Sequence, residues 1–359
     1  MSAAEEPIRT ALIGAGNSGR HYHLPLLWAD PRFEVRAVAA AHAATLDSLD
    51  LPDGTVRTTD WQAAVAADVD LVVVALPHDL HHPVAAAALE AGRHVLVEKP
   101  MTVTVAEADD LIARADRAGR VLAVHHQRRW EEDVTALAEL LRSGEIGTPW
   151  HLTLARGHQG HYVTATPGAP HAGTEVVPWV LRRRSGGGVA RLVGPHVIDH
   201  ALLLAGGEVC SVAGRTHRAD GEDVEDWIGL DLTTDSGVTV HAEIFRRTGL
   251  APARAAVWGS EGMAVAPDGT RIEIRRHDGE DRVVSGLRPP GRLGAQIYDD
   301  VAAAVRHGRP LRVPPTHARR VVEIIELAEL SAARDGEPVA VPAGGVARQP
   351  VPGSGGAVR

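Results

Sequence analysis

The chain has 359 residues, 44% of them hydrophobic, and a formal net charge of -9. That length suits two ordinary domains with packed cores, and the acidic balance offers no basic field for nucleic-acid phosphates. No apolar run approaches the roughly 20 residues that a bilayer requires, and the single cysteine, Cys210, excludes an intrachain disulfide framework or a cysteine-rich zinc site.

The N-terminus, Met1 to Glu6, is acidic and has no apolar core of a signal peptide, so a cytoplasmic protein is expected. Histidines number 20, but no H-E-x-x-H stretch is present and no metal site is expected. Ile8 to Ile13 reads as a first buried strand. Gly14-Ala15-Gly16-Asn17-Ser18-Gly19 follows at once, and a helix-like run extends from His21 toward Trp28. In such a G-x-G-x-x-G turn the first glycine allows the tight bend. The second lets the backbone approach a pyrophosphate, and the third lets helix and strand pack closely. Amides at the helix start then hold the phosphate charge.

Glu34 to Ala39 reads as the second strand. It ends in Ala40-Ala41-His42, where an NAD-binding fold usually carries an acid for the ribose hydroxyls. The missing acid leaves room for a 2'-phosphate, with His42 its nearest candidate partner. NAD and NADP therefore both stay open. Trp61 to Ala66 is a short helix candidate and Asp70 to Ala75 a buried strand. Leu76-Pro77-His78-Asp79-Leu80-His81 breaks the pattern before a helix from Val84 to Ala91. His94 to Val97 is the next strand and runs into Glu98-Lys99-Pro100. Thr104 and Glu107 have the spacing of a capping box, opening a helix that stops at Gly119. Val121 to His125 completes an alternation that predicts an α/β doubly wound parallel sheet over residues 1–125.

Lys99 is the only lysine in the chain. Arginine can replace a lysine that merely carries charge, but not one whose amine must lose a proton. Its place at the C-terminal end of a parallel strand, where open α/β sheets hold ligands, makes it a candidate for chemistry.

After residue 125 the pattern changes. Val134 to Arg142 reads as a helix, Trp150 to Arg156 as a strand, and Gly157 to Pro178 as a long loop in which His161 and Tyr162 are candidate substrate contacts. Arg182-Arg183-Arg184 could clamp an anion, although a solvated charged turn is the plainer reading. Gly186-Gly187-Gly188 precedes a helix around Pro195 to Leu204. Seven alternating segments between Val209 and Ser285 then predict a mainly antiparallel sheet, and helices at about Leu293–His307 and His317–Arg334 follow. The expected division is 1–125 for the dinucleotide domain, 126–342 for a second α+β domain for substrate and oligomer contacts, and 343–359 for a disordered Gly/Pro-rich tail.

Four motifs stand in order: Gly14-x-Gly16-x-x-Gly19, Pro77-His78-x-x-His81, Ala91-Gly92-x-His94-Val95-x-x-Glu98-Lys99-Pro100, and the triple glycine ahead of His196-x-x-Asp199. Together they resemble the Gfo/Idh/MocA family of NAD(P)-dependent sugar and cyclitol oxidoreductases, over about Arg9 to Val341. The resemblance implies a Rossmann domain followed by a domain with a large antiparallel sheet, with substrate between the two. It also implies a homodimer or homotetramer, built through the open sheet face, and a Lys99-Pro100 bond that is often cis. Gly14, Gly16, Asn17, Ser18, Gly19, Ala40, His42, Pro77, His78, His81, Glu98 and Lys99 are the residues expected around the cofactor.

Lys99 matches the family's active-site lysine, and His196 the histidine after its glycine-rich motif. Where the family usually has an aspartate four residues earlier, this chain has Leu192. Asp199, one turn after His196, could orient the imidazole instead. The implied chemistry is hydride transfer between nicotinamide and a secondary alcohol or ketone, with Lys99 or His196 as the base. Two other readings remain open: redox-neutral glycoside cleavage or elimination using NAD, and a dinucleotide sensor without turnover.

Overall fold

The computed structural model describes residues 5–157, 178–246, 252–288 and 293–342. The chain divides into two units: Met1–Gln127 with Arg184–Gly186 and Arg292–Val322, and Arg128–Arg183 with Gly187–Gly291 and Glu323–Arg359.

The first unit begins with β1 (Ile8–Ile13), a π-helical turn over Gly19–His23 and α1 (Leu24–Ala29). β2 (Phe33–Ala39), α2 (Ala43–Asp47), β3 (Val56–Thr58) and α3 (Trp61–Ala66) come next. Then come β4 (Leu71–Val74), α4 (His81–Glu90), β5 (His94–Val97), α5 (Val105–Ala118) and β6 (Leu122–Val124). The six strands lie in the order β3-β2-β1-β4-β5-β6 and every pairing is parallel. Parallel strands flanked by helices on both faces need side chains that are apolar on both sides. Leu71-Val72-Val73-Val74 supplies this and is buried at every position. Between β1 and β4 the order reverses, and crevices at such switch points bind ligands at the carboxyl ends of the strands.

α5 starts with the predicted reciprocal cap. Thr104 Oγ1 accepts from the Glu107 amide at 3.3 Å, and Glu107 Oε2 accepts from the Thr104 amide at 3.0 Å. It ends at Gly119, whose φ of 60° is the left-handed conformation that glycine adopts without steric cost.

The second unit contains α6 (Glu132–Ser143), β7 (Pro149–Gly157), α7 (Val189–Leu192) and α8 (Gly194–Ala205). Strands β8 (Val209–His217), β9 (Trp227–Thr234), β10 (Thr239–Phe245) and β11 (Ala255–Gly259) follow, with β12 (Gly262–Ala266), β13 (Ile272–Arg276) and β14 (Arg282–Val284) after them. With the late strand Val339–Ala340, they form a nine-stranded sheet, in which only β7 and β10 pair in parallel. The sheet is thus mainly antiparallel, as the alternating segments predict. α8 packs on β7 and β10. Leu152 and Leu154 are buried, whereas His151 and Thr153 on the opposite face of β7 are half-buried. This is the alternation expected of a sheet covered on one side.

Two helices, α9 (Ala295–His307) and α10 (Pro315–Ala332), come before that last strand. The whole of α9 and the start of α10 belong to the first unit, so the contiguous division at residue 125 misses part of it. The cause lies in side chains. Tyr298 on α9 is buried edge-on against Phe33, with ring centroids 5.2 Å apart, and Arg306 donates to the carbonyl of Glu6 at 2.8 Å. The 343–359 tail lies outside the described residues. No helix among them is long and apolar enough to cross a membrane.

Candidate functional site

The glycine turn follows β1 directly. Gly14 has φ 105°, and a Cβ there would lie 2.1 Å from the carbonyl oxygen of Ala75; a Cβ on Gly19 would lie 1.9 Å from the carbonyl oxygen of Gly14. These two glycines let three backbone segments close on one another. Gly16 is different, because a Cβ there meets nothing within 4 Å and the residue is exposed beside exposed Asn17. The turn therefore offers bare, open backbone of the kind a pyrophosphate approaches.

Ser18, the next residue, points inward. Its hydroxyl donates to Glu98 Oε1 at 2.5 Å. The same oxygen lies 3.1 Å from His23 Nε2 and 3.0 Å from His125 Nδ1, while Glu98 Oε2 accepts from the Lys99 amide at 3.1 Å. His23 Nδ1 is 2.8 Å from the Tyr298 hydroxyl. Burial opposes ionisation of Glu98, but His125 and His23 outweigh it and hold the carboxyl well below its usual range. Burial, with Glu98 nearby, pushes the Tyr298 phenol well up, so its hydroxyl keeps the proton it can give to His23. Burial and His125 in turn push His23 down against the pull of Glu98. Glu98 is thus a buried carboxylate that ties the glycine turn, the first helical turn, the end of β6 and the main chain at Lys99 to one point.

His23 Nε2, Glu98 Oε1 and His125 Nδ1 all lie within 4.8 Å of one another, donor types that also suit a divalent cation. Here the one oxygen already takes three hydrogen-bond donors, which describes a closed proton network.

Lys99 is half-buried, and its bond to Pro100 is cis. After β4, Pro77 leads into a short 3-10 turn, His78–Leu80. His78 is buried with Nδ1 2.7 Å from the Gly186 carbonyl, which brings Gly186 against this turn. His81 is fully buried, and both its ring nitrogens contact main-chain carbonyls, Pro100 at 2.8 Å and Leu76 at 3.0 Å. Its contacts are thus with the protein's own backbone.

At the end of β2, Ala40 is buried and His42 is exposed at the start of α2. Arg20 is an addition here that the motifs do not predict. Its guanidinium reaches the Thr45 carbonyl at 3.5 Å and the Ser48 hydroxyl, in and just after α2. Only the fold brings the arginine that follows Gly19 to the segment after β2.

In the second unit, Leu192 ends α7 and His196 lies in α8, with Val193 as the junction. The two residues are therefore not stacked on one uninterrupted helix, as a spacing of four would suggest. His196 is buried, and Asp199 is buried with its carboxylate on Arg129. Nε of Arg129 lies 3.1 and 3.2 Å from the two oxygens, and a terminal nitrogen lies 2.5 Å from Oδ1. Arg183 donates its amide to Asp223 at 2.7 Å. His161 and Tyr162 lie outside the described residues.

The sequence motifs pick out Ser18, Glu98 and Lys99, but not that the first two touch. They place His125 only at the end of a strand, and they pass over His23 and Tyr298. No sequence signal joins Tyr298 to His23, because contact across that separation depends on where α9 returns.

Residues 8–126 match the oxidoreductase family with an NAD-binding Rossmann fold, and residues 134–265 match the GFO/IDH/MocA C-terminal domain. The chain is 30% identical over 344 residues to the uncharacterized oxidoreductase YdgJ of Escherichia coli K12, covering 89% of this chain and 95% of that one. It is also 30% identical over 323 residues to dTDP-3,4-didehydro-2,6-dideoxy-alpha-D-glucose 3-reductase of Streptomyces antibioticus, covering 88% and 93%. Among solved structures, GenD2 from gentamicin A biosynthesis, in complex with NAD, superposes with a TM-score of 0.78 at 28% identity over 95% of this chain and 98% of that one. With both halves matched and the open glycine turn in place, the chain belongs to the Gfo/Idh/MocA family of oxidoreductases and carries its NAD-binding Rossmann domain.

Proposed function

We propose that the protein is a dehydrogenase or reductase that moves hydride between a nicotinamide dinucleotide and a secondary alcohol or ketone of a sugar, cyclitol or related polyol. The observation that carries this reading is Glu98. One buried carboxylate fastens the turn with open backbone at Gly16 and the main chain of the sole lysine. When bound, the nicotinamide takes or gives the hydride. Gly16, Asn17 and Ser18 present the pyrophosphate side of the site, and Ala40 and His42 border the adenosine ribose. Pro77 and His78 shape the turn after β4.

Hydride leaving an alcohol carbon requires the hydroxyl proton to leave too, or an alkoxide forms at high cost. Lys99 as a cation stabilises that developing charge, and His196 handles the proton. The reverse assignment uses the same two groups. Asp199 already carries Arg129, so the reading gives it the task of fixing α8 rather than moving protons. The didehydro sugar named for the Streptomyces relative supports a keto-sugar as the oxidised partner. A homodimer or homotetramer joined through the uncovered sheet face fits Trp150, which is 55% exposed beside His151 and Trp258.

The test is a screen of sugars, cyclitols and their keto forms with NAD and NADP, following nicotinamide absorbance, on the protein and on Lys99→Ala. Turnover with one compound class, lost in Lys99→Ala while dinucleotide still binds, supports the reading. Tight dinucleotide with no absorbance change for any compound removes it, leaving a redox-neutral enzyme or a sensor.

A further inference from the structure

We propose that His81 is held as an imidazolium, a buried clamp that donates one N–H to the Leu76 carbonyl and the other to the Pro100 carbonyl, and so fixes the turn after β4 to the turn that follows Lys99. Donor and acceptor geometry requires it. Nδ1 lies 2.8 Å from the Pro100 oxygen and Nε2 lies 3.0 Å from the Leu76 oxygen. A carbonyl oxygen can only accept, and a neutral imidazole has one N–H, so the neutral ring would turn a nitrogen lone pair onto an oxygen lone pair at one of those contacts. The residue is fully buried, leaving no solvent to relieve the conflict. Turning the ring over does not help. It puts a carbon at about the same distance from an oxygen, closer than the roughly 3.3–3.6 Å of a C–H···O contact.

The charges around His81 fall on both sides. Burial is the largest influence and favours the neutral ring, and Lys99 adds to it; the Pro100 and Leu76 carbonyls and Glu98 favour the cation. Burial is the strongest of these influences and pulls toward the neutral ring, yet a neutral ring leaves one of the two carbonyl contacts without a proton. The contacts decide the charge, because the neutral ring has no arrangement that satisfies both. His78 meets it edge-on at 5.4 Å with its own Nδ1 on the Gly186 carbonyl. On α4 the next residue, His82, turns to Asp110 of α5, which also carries Arg114, so that acid is already engaged. Glu98 is the carboxylate whose charge acts on His81.

The consequence concerns the amine. Pro100 follows Lys99, and Leu76 follows the strand at the switch point. A doubly donating ring joins these turns by charge-assisted hydrogen bonds, which are shorter and stronger than neutral ones. His81 is thus a positioning residue for Lys99, and this part rests on the reading given under Proposed function.

Neutron diffraction from the full-length protein, exchanged into deuterium oxide at about pH 7.5, one unit above an ordinary imidazole, reads both ring positions directly. Deuterium on Nδ1 and Nε2 is expected; a single deuteron overturns the proposal. In solution, full-length protein with 15N-labelled histidine should show a ring with both nitrogens protonated at that pH. The signal should be absent from His81→Gln, or from His81→Asn if the first variant does not fold. A neutral tautomer pattern for that ring overturns the clamp. Neither measurement needs a substrate, so both stand if the oxidoreductase reading fails. If turnover is found, His81→Gln should lower kcat by up to about a hundredfold with dinucleotide Kd little changed, as expected for a misplaced catalytic group. An unchanged kcat removes the positioning role.

Discussion

The hydroxyl of Ser18 lies 2.5 Å from Oε1 of Glu98, so a residue of the glycine turn and a residue of the Glu-Lys-Pro signature, 80 positions apart, share one hydrogen bond. Two of the motifs that mark the family in the sequence are thus joined directly.

Stability should report this connection. In Glu98→Ala, the donors at Ser18, His23 and His125 lose their common acceptor, and a loss of roughly 3 kcal/mol or more is expected in urea denaturation. The pH dependence has a definite sign. Glu98 has a depressed folded-state pKa, so its contribution is present above the unfolded carboxyl value near 4.3 and fades as pH falls through the folded value. His23 is also depressed, so the unfolded chain binds its proton first and stability already declines as pH drops below about 6.5. Stability that stays level from neutral pH to about pH 4 contradicts this account.

The three glycines of the turn should separate into two classes. Gly14→Ala and Gly19→Ala drive a methyl into backbone oxygens at 2.1 and 1.9 Å and should unfold or strongly destabilise the chain, by about 3 kcal/mol or more. Gly16→Ala meets open space, so Tm should barely move while NAD affinity falls roughly tenfold. Thermal melts with and without NAD decide the matter; a Gly16→Ala protein that binds NAD normally would falsify the assignment of that backbone to the pyrophosphate.

Asp199 and Arg129 form a buried pair, with side-chain exposures of 1% and 3%. Removing either partner leaves a charge in the core, and Asp199→Ala should cost about 3–5 kcal/mol. Replacing both, as Arg129→Met with Asp199→Leu, should recover much of that loss. If the double variant is no better than Asp199→Ala, something other than an uncompensated charge holds this place.

Cofactor choice should respond to Arg20. It reaches the segment after β2, which the proposed function assigns to the ribose and which ends in Ala40-Ala41-His42 without an acid, and there an arginine suits a 2'-phosphate. Arg20→Ala is expected to weaken NADP about tenfold, as the loss of one charge-assisted contact, and to leave NAD nearly unchanged. Equal effects on the two dinucleotides, measured by titration calorimetry, reject a phosphate role.

The sequence by itself determined the sheet types, the glycine turn, the capping box at Thr104 and the singular position of Lys99. Each of these depends on neighbours within a few residues: apolar runs, a period of two, a cap three residues from its partner, a glycine where a turn is needed. Tertiary structure alone decided the return of α9 to the first unit and the meeting of Ser18, His23, His125 and Tyr298 around Glu98. It also decided the pairing of Asp199 with Arg129 and the reach of Arg20 to α2. These are contacts of buried polar groups across long stretches of chain. A histidine or tyrosine carries no local mark of which partner will satisfy it, because that is settled only when packing removes the water and leaves one donor facing one acceptor.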